Sequence, residues 1–339
     1  MTAHAQTETG TMPAWRQDRY GEPDAVVLEE AGAPTPGRGE VLLRPRVTAL
    51  NNGDLRVMRG EPRLVRAAFG LRRPKQPVRG MDVAATVVAV GGGVTDFAVG
   101  DEVFTELPGG GGLARLALAP AKRLARRPAD LDPALAATLP IAGGTAWQAL
   151  DLAGVGGSTR RVLVIGASGG VGTFAVQLAA LRGAEVWALC GERNRPLVEG
   201  LGATRSFDYR QVQPGSPELA PGSFYAVIDI AGTAPLRALR SLVRDGGTVV
   251  LVAGEGGRIL GPMGRILRAA LMSIGSRRPL RAFVAATDTG VLAQLAAHVV
   301  AGRVRPVIER TFPFDQARAA LAHVAAGHTV GKVVVTASD

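Results

Sequence analysis

The chain has 339 residues, of which 47% are hydrophobic and 20% are charged, so it is long enough for two soluble domains that each bury a core. A single cysteine, Cys190, excludes an internal disulfide and any zinc site built from several cysteines, and we expect a cytoplasmic protein. The net charge of +10 comes mainly from scattered arginines without a nucleic-acid-binding motif, so we expect an anionic ligand and no nucleic acid.

The first third of the chain has the pattern of short strands separated by glycine and proline. The candidate strands are AVVLEE, EVLLRPRVTAL, VAATVVAVG, DEVFTEL and ARLALAP. Strands of this length and spacing favour an antiparallel, barrel-like domain, which we assign to residues 1–132.

From about Pro133 the pattern changes to strands that alternate with helices. The candidate strands are RVLVIG, AEVWALC, ATRSFDY, FYAVIDI and GTVVLVAG, with PLRAFVAA as a possible sixth. This alternation predicts a parallel sheet with helices on both faces, which we assign to residues 133–286. The uncharged stretch 162–181 is long enough to span a membrane, but its glycines favour a strand and a buried helix, and we expect no membrane insertion.

The last segment, residues 287–339, has two further helix–strand pairs. We predict a helix over 289–301, the strand PVIERTF, a helix over 315–326 with Asp315 as its N-cap, and the strand GKVVVTA. This tail resembles neither of the preceding halves strongly, and we predict that it returns to the first domain.

The loop GASGGVG, between a predicted strand and a predicted helix, has two interpretations. As G-x-S-x-G it is the nucleophile elbow of a serine hydrolase, with Ser168 as nucleophile and Asp229 and His328 as candidate partners. As a dinucleotide-binding turn, Gly169 lets backbone N–H groups approach a pyrophosphate and Gly172 lets the helix pack on the strand. The second interpretation makes the cofactor-binding residues Gly166, Ser168, Gly169, Gly170, Val171 and Gly172.

The end of the second parallel strand indicates which nicotinamide cofactor would bind. An acidic residue that binds the ribose hydroxyls of NAD is missing after Cys190, and Arg193, Arg195 and Tyr209 are placed to surround a 2′-phosphate. We therefore expect NADPH, although Glu192 could instead bind the ribose of NADH.

Several ordered motifs over residues 15–336 resemble the medium-chain dehydrogenase/reductase superfamily, in its zinc-independent quinone oxidoreductase branch. They include ALNNGDLRVMRG, RGMDVAATVVAVGGGVTDFAVGDEVF, LPIAGGTAWQAL, GASGGVG and the ending VIERTFPFDQARAALAHVAAGHTVGKVVVT. The resemblance implies an α/β protein with a GroES-like β-barrel catalytic domain from both chain ends, an inserted Rossmann domain, and an active-site cleft between them.

The sequence departs from zinc-dependent relatives at the positions of their metal ligands. Asn51 replaces the cysteine of the first motif, and Gly80-Met81-Asp82 replaces Gly-His-Glu in the second. We therefore expect no zinc and no metal ligands. Without a Lewis acid the substrate must already accept a hydride readily, so we predict reduction of quinones or activated α,β-unsaturated carbonyls.

The resemblance also implies the roles of individual residues. Asn51, Asp54 and Thr145 lie beside the nicotinamide as catalytic residues, although Asp54 could equally brace its loop. Asp229, Ala253 and Gly254 line the cofactor at strand ends, although Asp229 could equally cap a turn, and Lys332 approaches the cofactor phosphates. We expect a small-molecule substrate and a homodimer, and we keep two alternative functions: a serine hydrolase using Ser168, and a cofactor-binding redox sensor or scaffold.

Residues 256–281 form a basic amphipathic segment. Its apolar residues at helical spacing are Leu260, Met263, Leu267, Ala270, Leu271 and Ile274. We predict that this stripe is packed core or a subunit contact; a pocket lid and a membrane-surface helix are the alternatives.

Overall fold

A computed structural model describes residues 10–156, 160–252 and 261–337. The strands in these ranges are β1 (Thr11–Arg16), β2 (Val27–Gly32), β3 (Glu40–Leu50), β4 (Asp82–Val90), β5 (Glu102–Glu106), β6 (Ala117–Pro120), β7 (Ala125–Arg126), β8 (Arg161–Ile165), β9 (Glu185–Cys190), β10 (Arg205–Asp208), β11 (Phe224–Asp229), β12 (Val243–Leu251), β13 (Leu280–Ala282), β14 (Ile308–Pro313) and β15 (Lys332–Thr336). The α-helices there are α1 (Asn52–Arg59), α2 (Val65–Phe69), α3 (Pro133–Ala137), α4 (Gly144–Leu152), α5 (Gly170–Leu181), α6 (Arg195–Gly200), α7 (Leu236–Leu242), α8 (Met263–Ser273), α9 (Thr289–Val300) and α10 (Ala317–Ala325).

One sheet combines strands from both ends of the chain, as predicted. Its order in the described residues is β14-β15-β3-β4-β5-β7, with β6 paired to β3. β15 runs antiparallel to β3 with Val333 opposite Leu50, and this register brings Lys332 beside Asn51. The barrel domain is therefore completed by the C-terminal strands.

The second sheet is parallel throughout its described strands, in the order β10-β9-β8-β11-β12-β13. This is the Rossmann strand order, and β13 confirms the sixth strand predicted from PLRAFVAA. The order reverses between β8 and β11, and ligands of such sheets bind at the carboxyl ends of the strands at this point. The domain boundaries at 132/133 and 286/287 stay predictions.

The uncharged stretch 162–181 is the interior of this Rossmann domain. Val162 and Val164 on β8 and Phe174, Ala175 and Leu178 on α5 are almost completely buried in one core cluster. No helix within the described ranges is long and apolar enough to cross a membrane.

One expectation about helices is wrong. Asp315 is not the N-cap of the last helix, because residues Phe314–Gln316 form a 3₁₀ turn and α10 begins only at Ala317.

The apolar stripe of α8 was predicted to be packed core or a subunit contact. Leu267 and Leu271 are about three-fifths exposed within this chain, so of these two alternatives the subunit contact stays open. α8 packs on the sheet through Ala269 and the partly buried Met272. Leu260 lies outside the described residues.

Exposed apolar side chains continue past the end of α8, where Ile274 is 78% exposed. The predicted subunit contact and the homodimer are compatible with this surface and stay predictions.

Candidate active site

The glycine loop lies between β8 and α5, where its sequence permits a tight turn. Gly166 has a φ of +84°, a conformation that favours glycine. A Cβ on Gly172 would lie 2.1 Å from the carbonyl oxygen of Gly166, so only glycine allows this approach of helix to strand. α5 has no side-chain cap, and the N–H groups of its first turn are available to an anion.

Ser168 occupies this loop without the partners of a catalytic serine. Its Oγ accepts a hydrogen bond from Asn194 Nδ2 at 3.1 Å, and its carbonyl accepts one from Gly331 N at 2.8 Å. Within the described part of the chain, no histidine or carboxylate forms a hydrogen bond with the hydroxyl. The geometry therefore favours a phosphate-loop residue over a nucleophile.

Ser168→Ala is expected to keep most reductase activity, within about tenfold of the wild type, since backbone N–H groups carry most of the phosphate binding. The measurement is NADPH-dependent turnover of both proteins, together with labelling by a fluorophosphonate probe. Labelling of Ser168 with complete loss of activity in the alanine variant would establish the hydrolase instead.

Three adjoining cavities form a trough past this loop. The outer cavity, of about 610 Å³, lies at the end of β9; the middle cavity, of about 390 Å³, lies against the glycine loop; the inner cavity, of about 360 Å³, lies beyond it. His328 and Thr329 line both the outer and the middle cavity. Five residues line both the middle and the inner cavity: Gly53, Arg56, Ile141, Thr145 and Val252. The trough offers an elongated site of the kind a dinucleotide requires.

The outer cavity brings together the residues expected around the adenosine ribose. Its lining consists of Ser168, Gly191, Glu192, Arg193, Asn194, Tyr209, Arg210, His328 and Thr329. Arg195 does not line it, because its guanidinium bonds to Glu192 at 3.0 Å and to Ser206 Oγ at 3.0 Å. Arg195 thus pairs with Glu192, which lines the cavity and is the acid that could bind the hydroxyls of an NAD ribose. Arg210 was missed, although it directly follows Tyr209.

A buried cluster of Asn51, Asp82 and Lys332 lies at the middle cavity. Lys332 Nζ donates to Asn51 Oδ1 and is 3.6 Å from Asp82 Oδ2, while Asn51 Nδ2 donates to the same carboxylate at 3.0 Å. Asp82 also accepts from the backbone N–H of Ile141 at 3.2 Å. Lys332 is 2% exposed and Asp82 is completely buried.

The ionisable side chains of this cluster, Asp82 and Lys332, are buried away from water, and burial shifts the pKa of each. Burial raises the pKa of Asp82 to about 7, although the Lys332 ammonium and the Asn51 amide oppose this shift. Burial also lowers the pKa of Lys332. The structure thus places the Lys332 ammonium with Asn51 and Asp82, and its expected contact with the cofactor phosphates stays a prediction. Asp82 was not among the predicted site residues.

Asp54 braces the loop that carries Asn51. Its Oδ2 accepts from the backbone N–H of Asn51 at 2.9 Å, and its Oδ1 accepts from that of Gly80 at 2.9 Å. Asp54 is 1% exposed and does not line the middle or the inner cavity, whereas Asn51 lines the middle one. This arrangement matches the bracing alternative for Asp54.

The inner cavity is mostly apolar and has few polar groups. Thr145, at the start of α4, lines it together with Met81, Phe283 and other apolar residues. Its charged side chains are Arg56, Glu106 and Arg265. This lining fits a largely apolar substrate.

Asp229 has the turn-capping position that was the alternative to lining the cofactor. It is completely buried, with Oδ1 accepting from Gly232 N at 3.0 Å and Oδ2 from Arg265 at 2.8 Å. It therefore holds a turn and orients Arg265, which lines the inner cavity. The other two predicted strand-end residues, Ala253 and Gly254, lie outside the described residues.

The donor set does not fit a zinc ion. Among the described residues, no group of three or more histidine, cysteine, aspartate and glutamate side chains could hold a metal. At the positions of the zinc ligands in relatives stand Asn51 and Gly80-Met81-Asp82, and the Asp82 carboxylate is taken by Lys332, Asn51 and Ile141.

The Rossmann sheet, the open helix terminus and the trough between sheet and barrel define a two-domain, dinucleotide-binding protein of the dehydrogenase class. Comparison with known proteins agrees: residues 37–129 match the alcohol dehydrogenase GroES-like domain, and residues 201–335 match the family described as zinc-binding dehydrogenase. The chain is 35% identical to a chloroplast envelope quinone oxidoreductase homolog of Arabidopsis thaliana, over 96% of this chain and 98% of the relative.

Two further comparisons extend over almost the whole chain. An NADPH-dependent alkenal/one oxidoreductase of the Arabidopsis thaliana chloroplast is 30% identical, over 96% of this chain and 79% of the relative. The structure of the quinone oxidoreductase from Coxiella burnetii superposes with a TM-score of 0.84 at 24% identity, over 96% and 99% of the two chains. The chain belongs to the medium-chain dehydrogenase/reductase superfamily, in its quinone oxidoreductase-like branch.

Proposed function

We propose that the protein is a zinc-independent, NADPH-dependent reductase of quinones or activated α,β-unsaturated carbonyls. The observation that carries this proposal is the mostly apolar inner cavity, which adjoins the middle cavity at the glycine loop. The described residues contain no group of side chains that could hold a metal ion there. Two relatives reported above are named for reactions on quinones and on alkenals or alkenones.

The mechanism assigns the chain's own residues to binding and orientation. Bound NADPH would supply a hydride. The N–H groups at the start of α5 would hold the pyrophosphate of the cofactor. Thr145 lies where the middle and inner cavities meet, so its hydroxyl can orient the groups that react. The apolar wall of the inner cavity excludes water. Asn51, fixed by Asp82 and Lys332, presents a rigid amide at the middle cavity.

The direct test is NADPH oxidation measured against a panel of quinones, enones, saturated aldehydes and primary alcohols. We expect turnover of quinones or enones and none of saturated aldehydes or alcohols, because only the conjugated acceptors delocalise the added charge. Cofactor binding without turnover of any acceptor would favour the redox sensor or scaffold. Turnover of a saturated aldehyde as fast as the corresponding enal would contradict the proposal.

Exhaustive chelation is expected to leave the activity unchanged, because Asn51 and Met81 offer no ligands where zinc relatives bind metal. The measurement is turnover and metal content before and after treatment with a chelator. Stoichiometric zinc whose removal abolishes turnover would overturn metal independence.

Arg193→Ala is expected to weaken NADPH binding by about tenfold or more and to leave NADH nearly unchanged. Arg193 lines the outer cavity, and Glu192 is engaged by Arg195. The measurement is the dissociation constant of each reduced cofactor, for which we expect the wild type to favour NADPH by about a hundredfold. Arg237→Ala, an exposed arginine outside the trough, is the control. Equal or tighter binding of NADH by the wild type would assign NADH as the cofactor.

A cytoplasmic location and a homodimer remain part of the proposal. Two reported relatives are named as chloroplast proteins, so the location requires its own measurement.

A further inference from the structure

A second large cavity lies on the barrel domain and shares no lining residue with the trough. Its volume is about 770 Å³, and we call it the arginine cavity after four of its lining residues, Arg44, Arg46, Arg115 and Arg127. Arg44 and Arg46 both line the cavity from β3, at an irregularity in the pairing of β3 with β4 between Pro45 and Val47. Nothing in the proposed reaction uses this cavity.

The lining carries an excess of positive charge. Among the described lining residues Glu102 is the one acidic side chain, which leaves three of the four guanidinium charges without a carboxylate in this part of the chain. The Glu102 carboxylate already accepts from Arg127 Nη2 at 3.1 Å and from Thr86 Oγ1 at 2.7 Å. Like charges around one cavity repel each other, so the arrangement favours an anion between them.

Two guanidinium nitrogens of the lining arginines, Nε of Arg44 and Nε of Arg127, have no hydrogen bond within the described residues. Both atoms are inaccessible to solvent, so they do not face the open cavity. The rest of the Arg127 guanidinium is engaged, since Nη1 donates to the carbonyl of Leu131 and Nη2 donates to Glu102 at 3.1 Å. Arg44, Arg46 and Arg115 form no ion pair with the described residues, so a ligand in the cavity would contact the guanidinium groups of these three arginines.

We propose that the arginine cavity binds a small soluble polyanion that carries two or more phosphate or carboxylate groups. Guanidinium groups bind such groups through paired, charge-assisted hydrogen bonds, and several arginines together select a multiply charged ligand over a monovalent one. The volume of the cavity is in the range found for metabolite-sized ligands.

The test is calorimetric titration of the full chain with inorganic pyrophosphate at constant ionic strength and saturating NADP⁺, so that the trough cannot bind the probe. We expect one site, and Arg44→Gln combined with Arg115→Gln should weaken binding at least about tenfold. Arg318→Gln, which removes one exposed charge elsewhere on the barrel domain, is the matched control and should leave the affinity unchanged.

The dissociation constant of the cofactor and the melting temperature of each variant show whether the variants are folded. None of the substituted arginines lines the trough, so weaker binding in the double variant assigns the probe to the arginine cavity whether or not NADP⁺ fills the trough and whether or not reductase activity is found. Absence of pyrophosphate binding, binding that survives in the double variant, or equal weakening by Arg318→Gln would each overturn the proposal.

Discussion

At about pH 9, replacing Lys332 with methionine is expected to lower the free energy of unfolding by about 3–5 kcal/mol, because an ionised Asp82 carboxylate is then buried without its cation. Lys332 Nζ lies 3.6 Å from Asp82 Oδ2, and both side chains are almost inaccessible to solvent. The measurement is denaturant unfolding of both proteins. Lys75→Met, which removes an exposed lysine, is the control and should change stability by about 0.5 kcal/mol or less.

The cost of Lys332→Met should also depend on pH, with a sign set by Asp82. Burial raises the pKa of Asp82 from 3.8 to about 7, so its protonation contributes stability that is present below pH 3.8 and lost as the pH rises toward 7. Without the ammonium, which opposes the shift, this loss continues above pH 7. The deficit of the variant relative to the wild type should therefore grow between about pH 7 and about pH 9.

A double variant separates the ion pair from general packing. Asp82→Asn combined with Lys332→Met removes both charges and should recover much of the lost stability and its pH dependence. A Lys332→Met variant that is as stable as the wild type at about pH 7 and at about pH 9 would show that Lys332 and Asp82 do not share a buried environment.

The architecture could be predicted from the sequence because its signals are local. Strands such as RVLVIG and GKVVVTA are bounded by glycine, and the period changes near Pro133 from strands alone to strands with helices. The start of the last helix was misplaced at Asp315 because a 3₁₀ turn can use the same residues as a helix start. The α8 stripe was left between packed core and a subunit contact because periodicity reveals an apolar face and not what covers it.

The parts of the candidate site that lie in one contiguous sequence motif were predicted. The parts that depend on side-chain direction or on contacts between distant residues were missed. The glycine loop is one contiguous motif, whereas Lys332 and Asn51 meet across 281 residues through the register of β15 on β3. Asp82 had no spacing signal of its own. Arg195 was predicted beside the ribose but pairs with Glu192, whereas Arg210, which was not predicted, lines the outer cavity.

Adding one methyl group at each of two glycines in the phosphate loop should separate folding from cofactor binding. A Cβ at position 172 would lie 2.1 Å from the carbonyl oxygen of Gly166, and this atom belongs to the backbone and cannot rotate away. A Cβ at position 169 would lie 3.6 Å from the same oxygen, which is an ordinary contact. The protein without cofactor should therefore tolerate an alanine at position 169 but not at position 172.

Gly172→Ala is expected to destabilise the protein by about 3 kcal/mol or more, since α5 must move away from β8, and to abolish measurable cofactor binding. Gly169→Ala should leave the unfolding free energy within about 1 kcal/mol of the wild type, because its φ of −79° suits any residue. It should nevertheless weaken NADPH at least about tenfold, since its methyl group occupies the space through which the backbone approaches the pyrophosphate.

Unfolding curves and NADPH titrations of both variants measure these two effects, with Gly200→Ala as the control because a Cβ there meets no atom within 4 Å. The contrast between the two variants shows whether the ligand contacts the loop itself. A ligand that lies elsewhere in the trough would be lost in Gly172→Ala, because the helix is displaced, but would bind Gly169→Ala normally. Unchanged NADPH affinity in a stable Gly169→Ala protein would therefore mean that the pyrophosphate does not lie on the first turn of α5, even if the fold is that of a dinucleotide-binding domain.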